Sequence, residues 1–181
     1  MNNVMDPVYL KFLENTYDEA RRLAEKSDVL KLSPIPPFPP GAYLCEFHVA
    51  HLRLLSDGTV RIEQGPVTAG VIFPEDYLRS TDPRLYLRVA SALTPFDLLH
   101  PNVRGGVVCL GAAFAPGTSL TALLWELYEI VSYQNVTLDE RNAMNPTACR
   151  LLRQQPELLS GLRPEPFLRR RHGMQVSVKQ L

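Results

Sequence analysis

The residues of this sequence with the most capacity for chemistry fall in one short run, His100-Pro101-Asn102-Val103-Arg104-Gly105-Gly106-Val107-Val108-Cys109-Leu110. Cysteine attacks as its thiolate, so a nucleophilic Cys109 needs partial exposure and neighbours that favour negative charge, such as a cation or backbone N–H groups. Arg104 supplies a cation, and His100 and Asn102 an imidazole and an amide, all close upstream. The competing reading is a small buried hydrophobe, the commoner fate of a free cysteine, and residue type and spacing alone favour it. Cys45 lies in a strand-like pattern and Cys149 in a helix-like one, and both read as core residues.

Other chemistries find less support. There is no CxxC pair and no HExxH. His48 and His51 stand three apart in an expected strand, so they point to opposite faces and do not share an ion. Gly105-Gly106 and Gly111 are not followed by Lys-Ser/Thr, and no GxGxxG opens a helix. No metal and no cofactor is expected.

The elements that must position the run are those of one domain. The chain has 181 residues, 45% hydrophobic and 21% charged, enough for one good core and short for two. Its 19 basic and 19 acidic side chains are unevenly spread. Residues 163–181 hold five basic residues and only Glu165, which sets a basic tail apart from a slightly acidic body over 1–162. The tail lacks an aromatic stacking platform, so it reads as a solvated terminus and not as a nucleic-acid contact. Charges or prolines interrupt every apolar stretch before the roughly 18 residues a membrane helix needs, so no membrane partner is expected. Three scattered cysteines make no disulfide framework and point to a reducing, cytoplasmic setting.

Asp6-Pro7 predicts a helix start, and Leu10, Leu13, Tyr17, Ala20 and Leu23 an apolar stripe reaching about Lys26. Ser33–Pro40 (SPIPPFPP) reads as an extended connector. Strands are expected at Tyr43–Leu55, Thr59–Ile62, Val67–Phe73 and Leu85–Val89, a four-stranded antiparallel meander. Residues 90–117 read as a long, packed, irregular stretch broken by Pro and Gly. Thr118 or Ser119 caps a central helix bearing Leu120, Leu123, Leu124, Leu127, Ile130 and Val131, and Asn145-Pro146 opens a short helix that ends before Pro156. The order predicts an α+β domain.

Several motifs in the same order resemble those of ubiquitin-conjugating enzymes. His100-Pro101-Asn102 ahead of Cys109-Leu110 is similar to that family's active-site stretch. Phe73-Pro74-Glu75-Asp76-Tyr77 resembles its Phe-Pro-x-Asp-Tyr strand end, Phe114-Ala115-Pro116 its Trp-Ser-Pro, and Asn145-Pro146-Thr147-Ala148 its Asn-Pro-x-Ala helix start. The resemblance runs over about residues 8–155. It implies a ubiquitin-conjugating-enzyme-like fold, with an N-terminal helix, a four-stranded meander, a central helix and C-terminal helices.

The resemblance further implies that Cys109 accepts a ubiquitin-like protein as a thioester from an activating enzyme and passes it to a target lysine. Asn102 then matches the side chain that stabilises the oxyanion or orders the loop, and His100 is a structural imidazole more than a base. Asp139, Glu140 and Asn142 fall where the family carries a residue that orients or desolvates the incoming amine; Asp139 reads equally as a turn residue. The departures are a shorter active-site loop, with six residues between Asn102 and Cys109, a longer segment from Tyr77 to His100, Leu78 in place of Pro, and Arg79 at an apolar ligase contact. Such a pattern resembles the conjugating enzymes of bacterial ubiquitin-like operons. A catalytically silent module that binds a ubiquitin-like protein is the alternative, and an unrelated cysteine hydrolase ranks last.

Overall fold

The computed structural model describes residues 6–82, 84–111 and 114–168, without the side chain of Tyr86. Most of the basic tail, including Arg169, Arg170, Arg171 and Lys179, lies outside the described residues.

The first helix begins where its cap residue is. Asp6 accepts the Val8 N–H at 2.9 Å, and α1 runs Pro7–Ala24. Its buried stripe is Tyr9, Leu13, Thr16, Ala20 and Leu23, turned by about a residue from the expected one. The rotation has a polar cause: Tyr9 donates to the Phe73 carbonyl at 2.6 Å, and Thr16 Oγ1 accepts the Leu120 N–H at 2.5 Å. These bonds tie the helix to the sheet and to the helix that starts at Leu120.

The sheet is antiparallel and has six strands, not the four expected. They are β1 Leu30–Ile35, β2 Ala42–Leu54, β3 Val60–Ile72, β4 Ala90–Thr94, β5 Val103–Arg104 and β6 Val107–Val108, in the order β1-β2-β3-β4-β6-β5. Three expectations are corrected here. The connector read from Ser33 begins inside β1, where Pro34 is tolerated because the strand lies at an edge. The two runs on either side of Gly65-Pro66 form one strand. His48, opposite Pro66, gives its N–H to Val29 across β1, so the His48–Pro66 pair is the non-hydrogen-bonded kind. The donor that Pro66 lacks would therefore point away from β2, past the end of β4, which pairs only with Thr68–Val71. Leu85–Val89 is not a strand; α2, Leu85–Arg88, makes one helical turn and buries Leu85 and Val89, four apart, before β4 starts.

Tyr43, Cys45, Phe47 and Val49 alternate into the main core, which α1 and α3, Leu120–Val131, share. Ser119 caps α3 by accepting the Ala122 N–H, and Asn145 caps α4, Pro146–Gln154, by accepting the Ala148 N–H. Pro156 then starts α5, Pro156–Gly161. A second cluster of Ala50, Leu52, Leu99, Ala148, Leu152 and Leu162 joins the far end of β2 to these last helices. Packing continues beyond Leu162. Phe167 is buried, its ring 4.5 Å from those of Tyr128 and Trp125, while Tyr128 donates to the Glu165 carbonyl and Ser27 to that of Phe167. The first residues of the basic segment thus belong to the folded body. Among the described residues no helix is long and apolar enough to cross a membrane.

Candidate active site

The stretch expected to be irregular contains a tight hairpin. Gly105 and Gly106, at φ of 57° and 80°, form a two-residue turn of the type that demands left-handed backbone at both central positions. The turn joins β5 to β6, with Val103 opposite Val108 and Arg104 opposite Val107. The register sets the next pair, and it is Asn102 opposite Cys109. Cys109 donates its N–H to the Asn102 carbonyl at 2.8 Å. The six intervening residues are fully used by two pairs and a two-residue turn.

The approach to this hairpin is anchored to β2. Leu54 donates to the Asp97 carbonyl and Leu99 to that of Leu52, both at 2.9 Å. The Arg53 guanidinium forks onto Asp97 at 2.7 and 2.6 Å and reaches Glu63 at 2.9 Å. His100 follows, with no exposure to solvent. Its Nδ1 accepts the Asn102 N–H at 2.9 Å. Its Nε2 is buried and faces the Ile130 backbone without a well-formed hydrogen bond. Burial pulls the imidazole down to about 3, so it is neutral at working pH. An imidazole so enclosed, with one nitrogen spent on the backbone, braces the loop and does not act as a base.

Asn102 is 8% exposed. Its Oδ1 accepts the Thr137 N–H at 3.2 Å, which orients the amide; among the described residues no acceptor is paired with Nδ2. Cys109 is half-buried, whereas Cys45 and Cys149 are fully buried. Burial pushes the Cys45 thiol up to about 12 and raises that of Cys149. Exposure therefore singles out Cys109 among the three. Arg104 is exposed on β5, two residues from Asn102.

The loop carrying Asp139, Glu140 and Asn142 is pinned to the same stretch at both ends. Thr137 holds Asn102, while Asn145 donates its N–H to the Pro101 carbonyl at 2.8 Å and its Nδ2 to that of Val103 at 3.4 Å. The structure brings the loop to His100-Pro101-Asn102, yet each of the three side chains has local work. Asp139 accepts from Arg141 and from Asn142 Nδ2, and the Arg141 contacts hold its carboxyl below the usual range. Glu140 pairs with Arg150 at 3.0 Å and Arg153 at 3.5 Å. Asn142 is exposed, its amide engaged by Asp139.

Sequence reasoning missed Thr137, and read Asn145 only as a helix cap. Thr137 contributes a backbone N–H, which leaves no trace in side-chain type. The cap motif at Asn145 was the one available signal.

Among the described residues two hollows lie near Cys109. A cleft of about 160 Å³ beside it is lined by Leu110, Phe114, Ala122 and Glu126, and a groove of about 710 Å³ lies along β4, Phe96 and Gly105-Gly106. Cys109 lines neither, and the nearer cleft is below the ~300 Å³ typical of small-molecule sites. The arrangement is a half-exposed thiol at the end of a hairpin, across the register from an amide held by Thr137. No protein-family model matches this chain, and no curated protein matches it significantly.

Proposed function

We propose that the chain has a ubiquitin-conjugating-enzyme-like architecture and works as an acyl carrier for a ubiquitin-like protein. Cys109 Sγ attacks the carbonyl carbon of the modifier's C-terminus, held as a thioester on an activating enzyme. The activating enzyme's thiolate leaves, and the modifier is now a thioester on Cys109. A neutral target amine, most simply lysine, then attacks the same carbonyl, the C–S bond breaks, and the proton the amine loses ends on the departing Cys109 Sγ. Both steps pass negative charge through the carbonyl oxygen. Discharge is the one that this chain's own groups must support without the activating enzyme alongside, so a lost donor here slows discharge more than loading.

The observation that carries this reading is the hairpin register that sets Asn102 across from the half-exposed Cys109, with Oδ1 held by Thr137. That hold leaves the Asn102 amide N–H as the donor to the developing oxyanion. One such donor is worth about 3 kcal/mol in transition-state stabilisation. Asp139 and Glu140, each already engaged by arginine, orient an incoming amine by charge rather than take its proton. The bacterial operon setting rests on the motif pattern alone.

The test mixes the protein with an activating enzyme, ATP and a ubiquitin-like protein. A reductant-sensitive adduct is expected with the wild type and with Cys45→Ala and Cys149→Ala, and none with Cys109→Ala. Asn102→Ala should load but discharge to lysine about 100-fold more slowly. An adduct that survives Cys109→Ala refutes the assignment. Measurable binding of the modifier beside an unreactive Cys109 would favour the silent module.

A further inference from the structure

One residue with no motif to announce it joins the three parts of this site. Tyr133 follows α3, and among the described residues it is the only non-glycine with positive φ, at 60°. It occupies the position after a helix end that glycine usually fills, because a Cβ is disfavoured in left-handed backbone. The chain reverses there, with Gln134 and Asn135 both donating to the Glu129 carbonyl.

What the side chain does in that position is unusual. Arg53 and Leu98 form an antiparallel bridge, which makes Leu52 and Leu99 the adjacent hydrogen-bonded pair. Such a pair exchanges two bonds. One is present: Leu99 N–H donates to the Leu52 carbonyl at 2.9 Å. In place of the other stands the Tyr133 hydroxyl, which accepts the Leu52 N–H at 3.2 Å and donates to the Leu99 carbonyl at 2.6 Å. The phenol is a wedge in the ladder at the point where the chain leaves β2 for His100. Its ring lies against the His100 imidazole, centroids 4.6 Å apart. Four residues later Thr137 donates to Asn102 Oδ1.

We infer that Tyr133 is a positioning residue for the Asn102–Cys109 pair: its hydroxyl sets the departure of His100-Pro101-Asn102 from β2, and its backbone starts the loop that orients the Asn102 amide. The inference rests on the conjugating reading for its catalytic consequence and on the hydrogen bonds alone for its structural one. Tyr133→Phe keeps the ring and removes both bonds of the wedge. The direct Leu52–Leu99 bond can then close, drawing His100 and the amide behind it towards β2. Tyr133 acts through Asn102, so the step it serves is the discharge of the thioester more than its formation.

Two measurements decide it. Amide exchange by NMR on Tyr133→Phe, run far below its melting temperature, should show faster exchange at Asn102 and Thr137 than in the wild type; unchanged exchange at both overturns the inference, whatever the protein's reaction. In the thioester assay, Tyr133→Phe should load within about twofold of the wild type and discharge to free lysine at least about tenfold more slowly. Added to Asn102→Ala it should slow discharge no further, because the two act through one group. A general loss of stability would instead impair loading as well and add to Asn102→Ala, and that result overturns the inference. If the wild type forms no thioester, the conjugating reading fails, and the exchange data alone then uphold or overturn the positioning role.

Discussion

Replacing Phe167 with alanine tests whether the segment after Leu162 belongs to the fold. The side chain is 2% exposed, stacked on Tyr128 at 4.5 Å and 14°, edge-on to Trp125 at 4.5 Å, and 6.4 Å from Phe47. Truncating a buried phenylalanine to alanine costs about 3–5 kcal/mol, combining lost apolar transfer with the cavity left behind. The aromatic pairs account for about 1 kcal/mol of that apiece. For a chain of this size the loss corresponds to a fall of about 10 °C in melting temperature. The assay has a built-in probe, since Trp125 is the only tryptophan and lies against the ring to be removed. Urea unfolding followed by Trp125 emission should give a lower midpoint, and the folded variant should emit further to the red as the indole gains solvent. A shift worth less than about 1 kcal/mol, with unchanged emission, would refute the packing of this segment on α3.

The other predictions concern the hairpin and the imidazole. A Cβ on Gly106 would lie 3.3 Å from the Ala92 carbonyl oxygen at φ +80°, whereas one on Gly105 meets nothing within 4 Å at φ +57°. Gly105→Ala should therefore cost only the left-handed penalty of about 1–2 kcal/mol, and Gly106→Ala visibly more in thermal melts; equal costs would contradict the turn geometry. His100 takes its proton near 6.5 when unfolded and only near 3 when folded. Between those values the unfolded chain binds more protons, so stability is lost as pH falls. Its share should be about 2 kcal/mol between pH 7 and 5, and His100→Gln should flatten that slope in urea titrations; coincident slopes would refute the burial of a neutral imidazole.

Local chemistry was legible in the order of residues. Asp6-Pro7, Ser119 and Asn145-Pro146 name their helix starts because a cap acts within three residues of itself. The α+β class and the run holding His100, Asn102 and Cys109 were legible for a related reason, since apolar periodicity and motif spacing are written along the chain. Strand boundaries were not. Pro66 reads as a break until the pairing shows that its missing donor faces no partner, and Leu85–Val89 reads as a strand because a four-residue spacing and an alternation share apolar endpoints. Two-residue strands carry no periodicity at all, so β5 and β6 were visible only as Gly-Gly.

The sequence by itself determined that a cysteine, an asparagine and a histidine stand close together with glycines between them. Tertiary structure alone decided how they are placed relative to one another. Hairpin register placed Asn102 across from Cys109, burial made His100 a neutral brace, and a backbone N–H from Thr137 chose which end of the Asn102 amide stays available. The phenol of Tyr133 entered the ladder between residues far apart in the chain. Those contacts depend on distance in space, and backbone donors look the same whichever side chain they carry.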